Sequence, residues 1–165
     1  MKKYLKWIFT VLAVLMMAFI FVMSSRSASD STNESGGVCR LIGQIFWRDF
    51  EEWTPAEQLN FIKSINGAVR QSGHFFEFSL LGVLFHLTFS SWGVKPKIAF
   101  PVSAGSGVFY ALTDEFHQLF VTGRSMEFKD VIYDSAGVLF GCLVVWLIVK
   151  ASRKRRAKKG KAESA

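Results

Sequence analysis

Ionisable side chains recur at helical spacing in three short stretches of an otherwise apolar sequence. The stretches are Arg70, His74 and Glu77; Asp114, His117 and Gln118; and Asp130 with Asp134. Residues three, four or seven positions apart lie on one face of a helix, so each stretch predicts one polar stripe. Glu115 adjoins the second stripe, and Arg124 lies between the second and third with a forked guanidinium suited to carboxylate or phosphate groups.

These residue types can support three kinds of chemistry or structure. A histidine beside carboxylates can act as a general acid and base, with His74 or His117 as the proton carrier. The same side chains are metal ligands elsewhere, although the sequence has no HExxH, no cysteine cluster and no two-metal pattern. A structural alternative is a buried network in which arginines and carboxylates neutralise one another and fix helix register. The sequence leaves these alternatives, and the identity of any cofactor, open.

The elements that carry the polar stripes are predicted membrane helices. The chain has 165 residues, of which 50% are hydrophobic and 20% charged. An uncharged run over residues 7–25 approaches the roughly 20 residues that cross a bilayer as a helix, whereas the runs at 78–94, 98–113 and 135–149 reach that length only by including ionisable residues. A charge at the bilayer centre is unfavourable by about 3 kcal/mol, so the stripes must face one another or water.

We therefore predict an all-α membrane protein with a single domain over residues 1–165 and four transmembrane helices. The predicted spans are residues 7–25, 73–93, 98–119 and 131–149. Lys and Arg are concentrated near both termini and at Lys95 and Lys97, so the positive-inside rule places both termini in the cytoplasm and the polar stripes outside. A cleaved signal peptide is the alternative for the first run, because Lys2 and Lys3 precede it.

An extracytoplasmic segment between the first two spans and a C-terminal tail complete the predicted topology. Residues 26–70 form an extracytoplasmic segment, with a loose loop at 27–37 and then amphipathic helices on the outer surface. The second of these helices begins at a capping box, Thr54-Pro55-Ala56-Glu57. Residues 150–165 form a basic cytoplasmic tail, which beside a membrane span indicates contact with anionic lipid rather than with nucleic acid.

Small residues at four-residue steps indicate how the spans pack. The third span carries Ser103, Gly107 and Ala111, and the fourth carries Gly137 and Gly141. Such seams allow close helix contact, so we expect the third and fourth spans to meet along them, with dimerisation through the two glycines of the fourth span as the alternative. The two cysteines, Cys39 and Cys142, are expected to be free thiols, because they lie at different membrane depths.

Three ordered motifs resemble those of the VanZ family. They are Val69-Arg70-x-x-x-His74-x-x-Glu77-Phe78-x-x-Leu81-Gly82, then Tyr110-Ala111-Leu112-Thr113-Asp114-Glu115-Phe116-His117-Gln118, then Arg124 followed by Asp130-Val131-x-x-Asp134-x-x-Gly137-x-x-x-Gly141. The resemblance covers roughly residues 5–150 and is far more specific than any one motif. Gln71 and Thr122 depart from it, since a basic residue and a proline are usual there.

The resemblance implies a small bacterial multi-pass protein of the cell envelope, whose namesake is associated with resistance to the glycopeptide teicoplanin. The expected function is a contribution to glycopeptide tolerance through an outward-facing polar cluster. The alternatives are a membrane-embedded hydrolase or transferase acting on a lipid-linked or phospholipid headgroup, and a non-catalytic docking subunit of an envelope enzyme. Besides the lipid bilayer, the expected ligand is a lipid-linked cell-wall intermediate or a glycopeptide-related molecule.

The motif residues of the family carry over to two sets of candidate site residues. The candidates for catalysis are His74, Glu77, Asp114 and His117. The candidates for ligand binding are Arg70, Glu115, Gln118, Arg124, Asp130 and Asp134.

Overall fold

The computed structural model describes residues 2–162, and every regular element in that part of the chain is helical. The five α-helices are α1 (Lys2–Ser24), α2 (Ala28–Phe46), α3 (Pro55–Ser91), α4 (Pro96–Gln118) and α5 (Phe128–Ala162), with a short 3-10 turn at Phe50–Glu52. The all-helical prediction is therefore confirmed.

Two of the helices are long and apolar enough to cross a membrane. They are α1 over Tyr4–Ser24 and α5 over Phe128–Arg155, as judged by length and composition within the described residues. Large apolar side chains are also exposed along these helices and along α4, with Trp7 at 54%, Phe109 at 69% and Phe140 at 51% exposure. Soluble proteins rarely expose so much contiguous apolar surface, so this surface favours contact with lipid or a protein partner.

Residues 27–37 form the start of α2, so the loop predicted there is wrong. Ser27 caps the helix by accepting a hydrogen bond from the Asp30 backbone N–H, and the Asp30 carboxylate lies in the first turn, where the helix dipole favours negative charge. Asn66 of α3 then holds this polar turn in place: its Oδ1 accepts from Ser35 Oγ at 3.1 Å, and its Nδ2 donates to the Thr32 carbonyl at 3.1 Å. Capping and these contacts outweigh the loop-like composition.

The outer helix predicted to begin at Thr54 and the predicted second span are parts of one continuous helix, α3, of 37 residues. The predicted capping box is present at its start. The Glu57 N–H donates to Thr54 Oγ1 at 3.3 Å, and the Thr54 N–H donates to Glu57 Oε2 at 2.8 Å. These hydrogen bonds from Thr54 also lower the pKa of the Glu57 carboxyl group. At 1.5 Å per residue, α3 is about 55 Å long.

The closest helix contact is between α3 and α5, where glycines bring the two backbones together. A Cβ atom at Gly141 would overlap the carbonyl oxygen of Ser79, and one at Gly137 would lie 2.5 Å from the carbonyl oxygen of Phe75. The Cys142 thiol beside this contact donates to the Gly82 carbonyl at 3.3 Å. The buried cluster around it comprises Ile20, Phe78, Leu81, Ala104, Ala111, Val138 and Cys142.

The glycine seam of α5 therefore faces α3, not α4 as we expected from the sequence. The contact between α4 and α5 uses Gly107, whose missing Cβ leaves room for the Val138 side chain. Because Gly137 and Gly141 are already covered within the chain, they are not free to join two copies. Both cysteines are free thiols, as predicted, and the structure buries both of them.

Candidate functional site

A polar cavity of about 280 Å³ lies where the middle of α3, the end of α4 and the start of α5 meet. Its wall comprises Gly67, Arg70, Gln71, His74, Glu115, Gln118, Arg124, Lys129, Asp130, Tyr133 and Asp134. The three polar stripes of the sequence thus converge on one cavity, and seven of the ten candidate site residues line it: Arg70, His74, Glu115, Gln118, Arg124, Asp130 and Asp134.

Asp114 lies behind this wall and is almost completely buried, with 2% of its surface exposed. Its Oδ2 atom accepts two hydrogen bonds, one from Ser24 Oγ at 2.7 Å and one from Gln118 Nε2 at 3.3 Å. Its Oδ1 atom is buried and has no hydrogen-bond partner in the described part of the chain. One carboxylate oxygen is therefore fixed and the other is left free.

His74 and Asp134 bring two further polar groups to Asp114. One potential ligand atom from each of the three side chains lies within 4.8 Å of the others. The His74 Nδ1 atom is buried without a hydrogen bond, and the nearest carboxylate oxygen of Glu77 is 4.0 Å away. Asp134 is 2% exposed. Each of the helices α3, α4 and α5 thus contributes one member of a buried cluster of one histidine and two aspartates.

Arg124 lies in the connection between α4 and α5 and forms hydrogen bonds that hold the cavity wall in place. Its Nε donates to the Arg26 carbonyl at 3.1 Å, and its Nη1 donates to Gln118 Oε1 at 3.2 Å. Burial, and then the nearby charge of Arg70, lower the pKa of Arg124. A hydrogen-bonded chain therefore links the end of α1 through Asp114 and Gln118 to Arg124.

The positive side chains do not form ion pairs with the buried aspartates. Within the described residues, no Lys or Arg nitrogen lies within 4.0 Å of the carboxylates of Asp114 or Asp134. Lys129 pairs with Glu127 at 2.6 Å instead. The hydrogen-bonded network expected of a purely structural role is therefore present. Among the described residues, however, no arginine directly neutralises Asp114 or Asp134.

Glu115 and Asp130 hold the segments that enclose the cavity. Glu115 is 1% exposed, and its Oε2 accepts a hydrogen bond from the Glu127 N–H at 3.0 Å, which fixes the connection before α5. Asp130 Oδ1 accepts from Gln71 Nε2 at 3.2 Å. Gln71 is thus a wall residue and joins α3 to α5, although the sequence marked it only as a departure from the VanZ pattern.

His117 is half-buried and contacts α1 instead of lining the cavity. Its Nε2 lies 3.0 Å from Ser25 Oγ, and its ring stacks on Phe21 with the centroids 4.3 Å apart. A proton-carrying role for His117 stays a prediction. Sequence reasoning noted that Phe21-x-x-Ser24-Ser25 is similar to the VanZ family but assigned no site role to Ser24, whose hydroxyl holds Asp114.

An apolar groove of about 680 Å³ adjoins the polar cavity between α2 and α3. Its wall includes Val38, Ile42, Ile65, Val69 and Phe76, and at one end it includes Glu77. Arg70, His74 and Arg124 line both spaces. A polar and an apolar compartment therefore share a boundary that carries two arginines and one histidine.

The helices and the cavity together define an all-helical bundle that holds a charged cavity near the meeting point of three helices and exposes apolar surface along its length. The chain belongs to the VanZ/LLP1 family, the sequence profile of which matches residues 9–149. This match includes all three polar stripes and confirms the family resemblance. No curated protein and no solved structure matches the chain.

Proposed function

We propose that this VanZ-family protein crosses the cell membrane four times and contributes to tolerance of teicoplanin-type glycopeptides through the polar cavity, which faces outward. The observation that carries the proposal is a cavity lined by charged side chains in a bundle that exposes large apolar side chains along α1, α4 and α5. An apolar exterior suits lipid, whereas ionisable groups at membrane depth are retained mainly where they face one another, water or a ligand.

The proposed orientation rests on the distribution of basic residues. Spans at residues 7–25, 73–93, 98–119 and 131–149 place Lys95, Lys97 and the basic tail on the same side as the N-terminus. The positive-inside rule makes that side cytoplasmic. The cavity then opens toward the outer leaflet, where glycopeptides and the lipid-linked precursors of the cell wall meet the membrane.

The topology can be tested by cysteine accessibility in a Cys39→Ala, Cys142→Ala background. We expect a cysteine at Asn33, which is exposed on α2, to react with a membrane-impermeant maleimide in intact cells, and one at Arg155 to react only after lysis, because the two positions lie on opposite sides of the membrane. The reverse pattern, or equal labelling of both positions, would contradict the proposed orientation and the outward-facing cavity.

The ligand that fits best has an anionic headgroup and an apolar chain. Arg70 and Arg124 supply positive charge to the polar cavity, and the apolar groove begins at the same two residues. Guanidinium groups bind phosphate well because their donors form a fork. A lipid-linked cell-wall intermediate has both parts, with its headgroup in the cavity and its chain in the groove.

A second candidate function is hydrolysis or transfer at that headgroup. The observation that favours it is the position of His74, which lines the cavity while its ring adjoins two buried carboxylates. Such a site could orient a reacting group as well as bind it. A docking subunit, by contrast, would depend on the surface of α2 and the first turns of α3.

The function can be tested by expressing the chain in a teicoplanin-susceptible bacterial host. We expect the wild type to raise the inhibitory teicoplanin concentration above the empty-vector level, and Glu77→Gln to remove the gain, because Glu77 lines the groove beside His74, which borders the polar cavity. Glu57→Gln is the matched control on the same helix, since glutamine preserves the capping box.

Membrane abundance is measured by immunoblotting of the same cells. No gain in tolerance from an abundant wild-type protein would contradict the proposed function. Full tolerance in abundant Glu77→Gln would exclude this residue from the site, and loss in Glu57→Gln instead would favour the docking subunit.

A further inference from the structure

We infer that His74, Asp114 and Asp134 form a binding site for one divalent metal ion of the zinc class. The three side chains come from three different helices, and one ligand atom from each lies within 4.8 Å of the others. Ligand atoms about 2.0–2.2 Å from one tetrahedral ion lie about 3.3–3.6 Å apart, so side-chain movements of about 1 Å bring this cluster to coordinating distance. The inference does not depend on a role in glycopeptide tolerance.

Charge balance is the first argument for a cation. Asp114 and Asp134 are each 2% exposed, and in the part of the chain that the structure describes no Lys or Arg nitrogen lies within 4.0 Å of either carboxylate. Buried carboxylates are strongly unfavourable unless they are paired or coordinate a metal. A dication between the two aspartates would neutralise both.

Unused ligand atoms are the second argument, and they are independent of the charge. Asp114 Oδ1 and His74 Nδ1 are both buried and lack a hydrogen-bond partner among the described residues. The other oxygen of Asp114 accepts hydrogen bonds from Ser24 and Gln118, which hold the carboxylate in a fixed orientation. Hydrogen bonds of this kind commonly orient the ligands of protein metal sites.

The ligand set is compatible with a metal of the zinc class. Imidazole nitrogen and carboxylate oxygen are both zinc ligands, and three protein ligands leave one tetrahedral position open. Because His74 and Asp134 also line the polar cavity, that position is accessible to water or to an anionic group in the cavity. Co²⁺ takes the same kind of site and gives a visible absorption spectrum, so it is a suitable probe.

His86 provides an internal comparison. It lies on the same helix as His74, is 3% exposed, and its Nδ1 is likewise buried without a hydrogen bond. Its described neighbours include the ring of Phe100, and no carboxylate shares a metal-compatible cluster with it. An unpartnered histidine is therefore not sufficient, and His86 should contribute nothing to metal binding.

The test uses the purified full-length protein in detergent, stripped with a chelator and titrated with Co²⁺ and then Zn²⁺. We expect the wild type and His86→Gln to bind one ion per chain, with a visible Co²⁺ spectrum that Zn²⁺ abolishes. Loss of a residue that only orients a metal ligand weakens metal binding by ~10–100-fold. Asp114→Asn and His74→Gln each alter a ligand itself, so each should weaken binding by at least that factor.

Asp114→Asn keeps an oxygen that can accept from Ser24 and Gln118, so it should remain folded; size-exclusion chromatography and circular dichroism verify this for each variant. If Asp114→Asn does not fold, His74→Gln decides the question alone. No bound metal in the wild type, or wild-type affinity in a folded ligand variant, would overturn the site. Equal loss in His86→Gln would also overturn it, because binding would then not be specific to the cluster.

Discussion

Replacing Gly141 by leucine is expected to prevent accumulation of the folded protein. A Cβ atom at this position overlaps the carbonyl oxygen of Ser79, which belongs to the backbone of α3 and cannot rotate away. Overpacking a well-packed contact costs about 1–3 kcal/mol and sometimes more. Here two helix backbones must separate along their main contact, so we expect a cost beyond that range, which is a large part of a total stability of about 5–15 kcal/mol. The measurements are membrane abundance and thermal stability in detergent.

Gly105→Leu is the matched control for this prediction. Gly105 lies on α4, and a Cβ atom added there meets no atom within 4 Å. Leucine is a better helix former than glycine by roughly 1 kcal/mol, so this variant should accumulate at least as well as the wild type. Wild-type abundance and thermal stability in Gly141→Leu would show that α3 and α5 do not approach each other through this glycine.

Replacing Arg124 by glutamine is expected to abolish tolerance while leaving most of the protein in the membrane. Arg124 lines both the polar cavity and the apolar groove, which is where the headgroup and chain of the proposed ligand meet. A hydrogen bond to a charged group contributes about 1.5–3 kcal/mol, or roughly 10–100-fold in affinity. Teicoplanin tolerance and membrane abundance are measured in the same cells.

Lys129→Gln is the control, because Lys129 also lines the polar cavity but is 64% exposed and already paired with Glu127. It should retain most of the tolerance. Arg124→Lys separates charge from geometry, since lysine keeps the charge but lacks the fork that reaches both the Arg26 carbonyl and Gln118. Full tolerance in abundant Arg124→Gln would remove Arg124 from the ligand site.

The spacing within each polar stripe fixes the face that His74, Asp114 or Asp134 occupies on its own helix, and the cost of a charge that faces lipid predicts that these faces meet. The spacing could not predict which helix a face meets. The glycines of α5 therefore had two possible partners, and only the packing in three dimensions selects α3. The capping box at Thr54 could be predicted from the sequence, because its hydrogen bonds join residues only three positions apart.

Contacts between distant parts of the chain account for the remaining differences. The start of α2 is stabilised by Asn66, which is more than 30 residues away and makes a polar segment helical. Ser24 binds Asp114 across an even longer separation, and no local pattern connects the two. His117 has the spacing of its stripe, yet contacts with Phe21 and Ser25 at the end of α1 occupy its ring.

Because α3 is one continuous helix, a movement at its outer end is transmitted along its axis. The first turns, which pack with α2 above the proposed membrane surface, and the cavity residues Arg70 and His74 belong to the same rod, with no loop between them. Arg70 lies about 22 Å along the axis from Pro55. A tilt imposed on the outer arm, by the cell wall or by a molecule bound to α2, must therefore displace the cavity wall as well. In the proposed orientation, a load on the outer arm and the shape of the proposed ligand site are therefore coupled through one continuous helix.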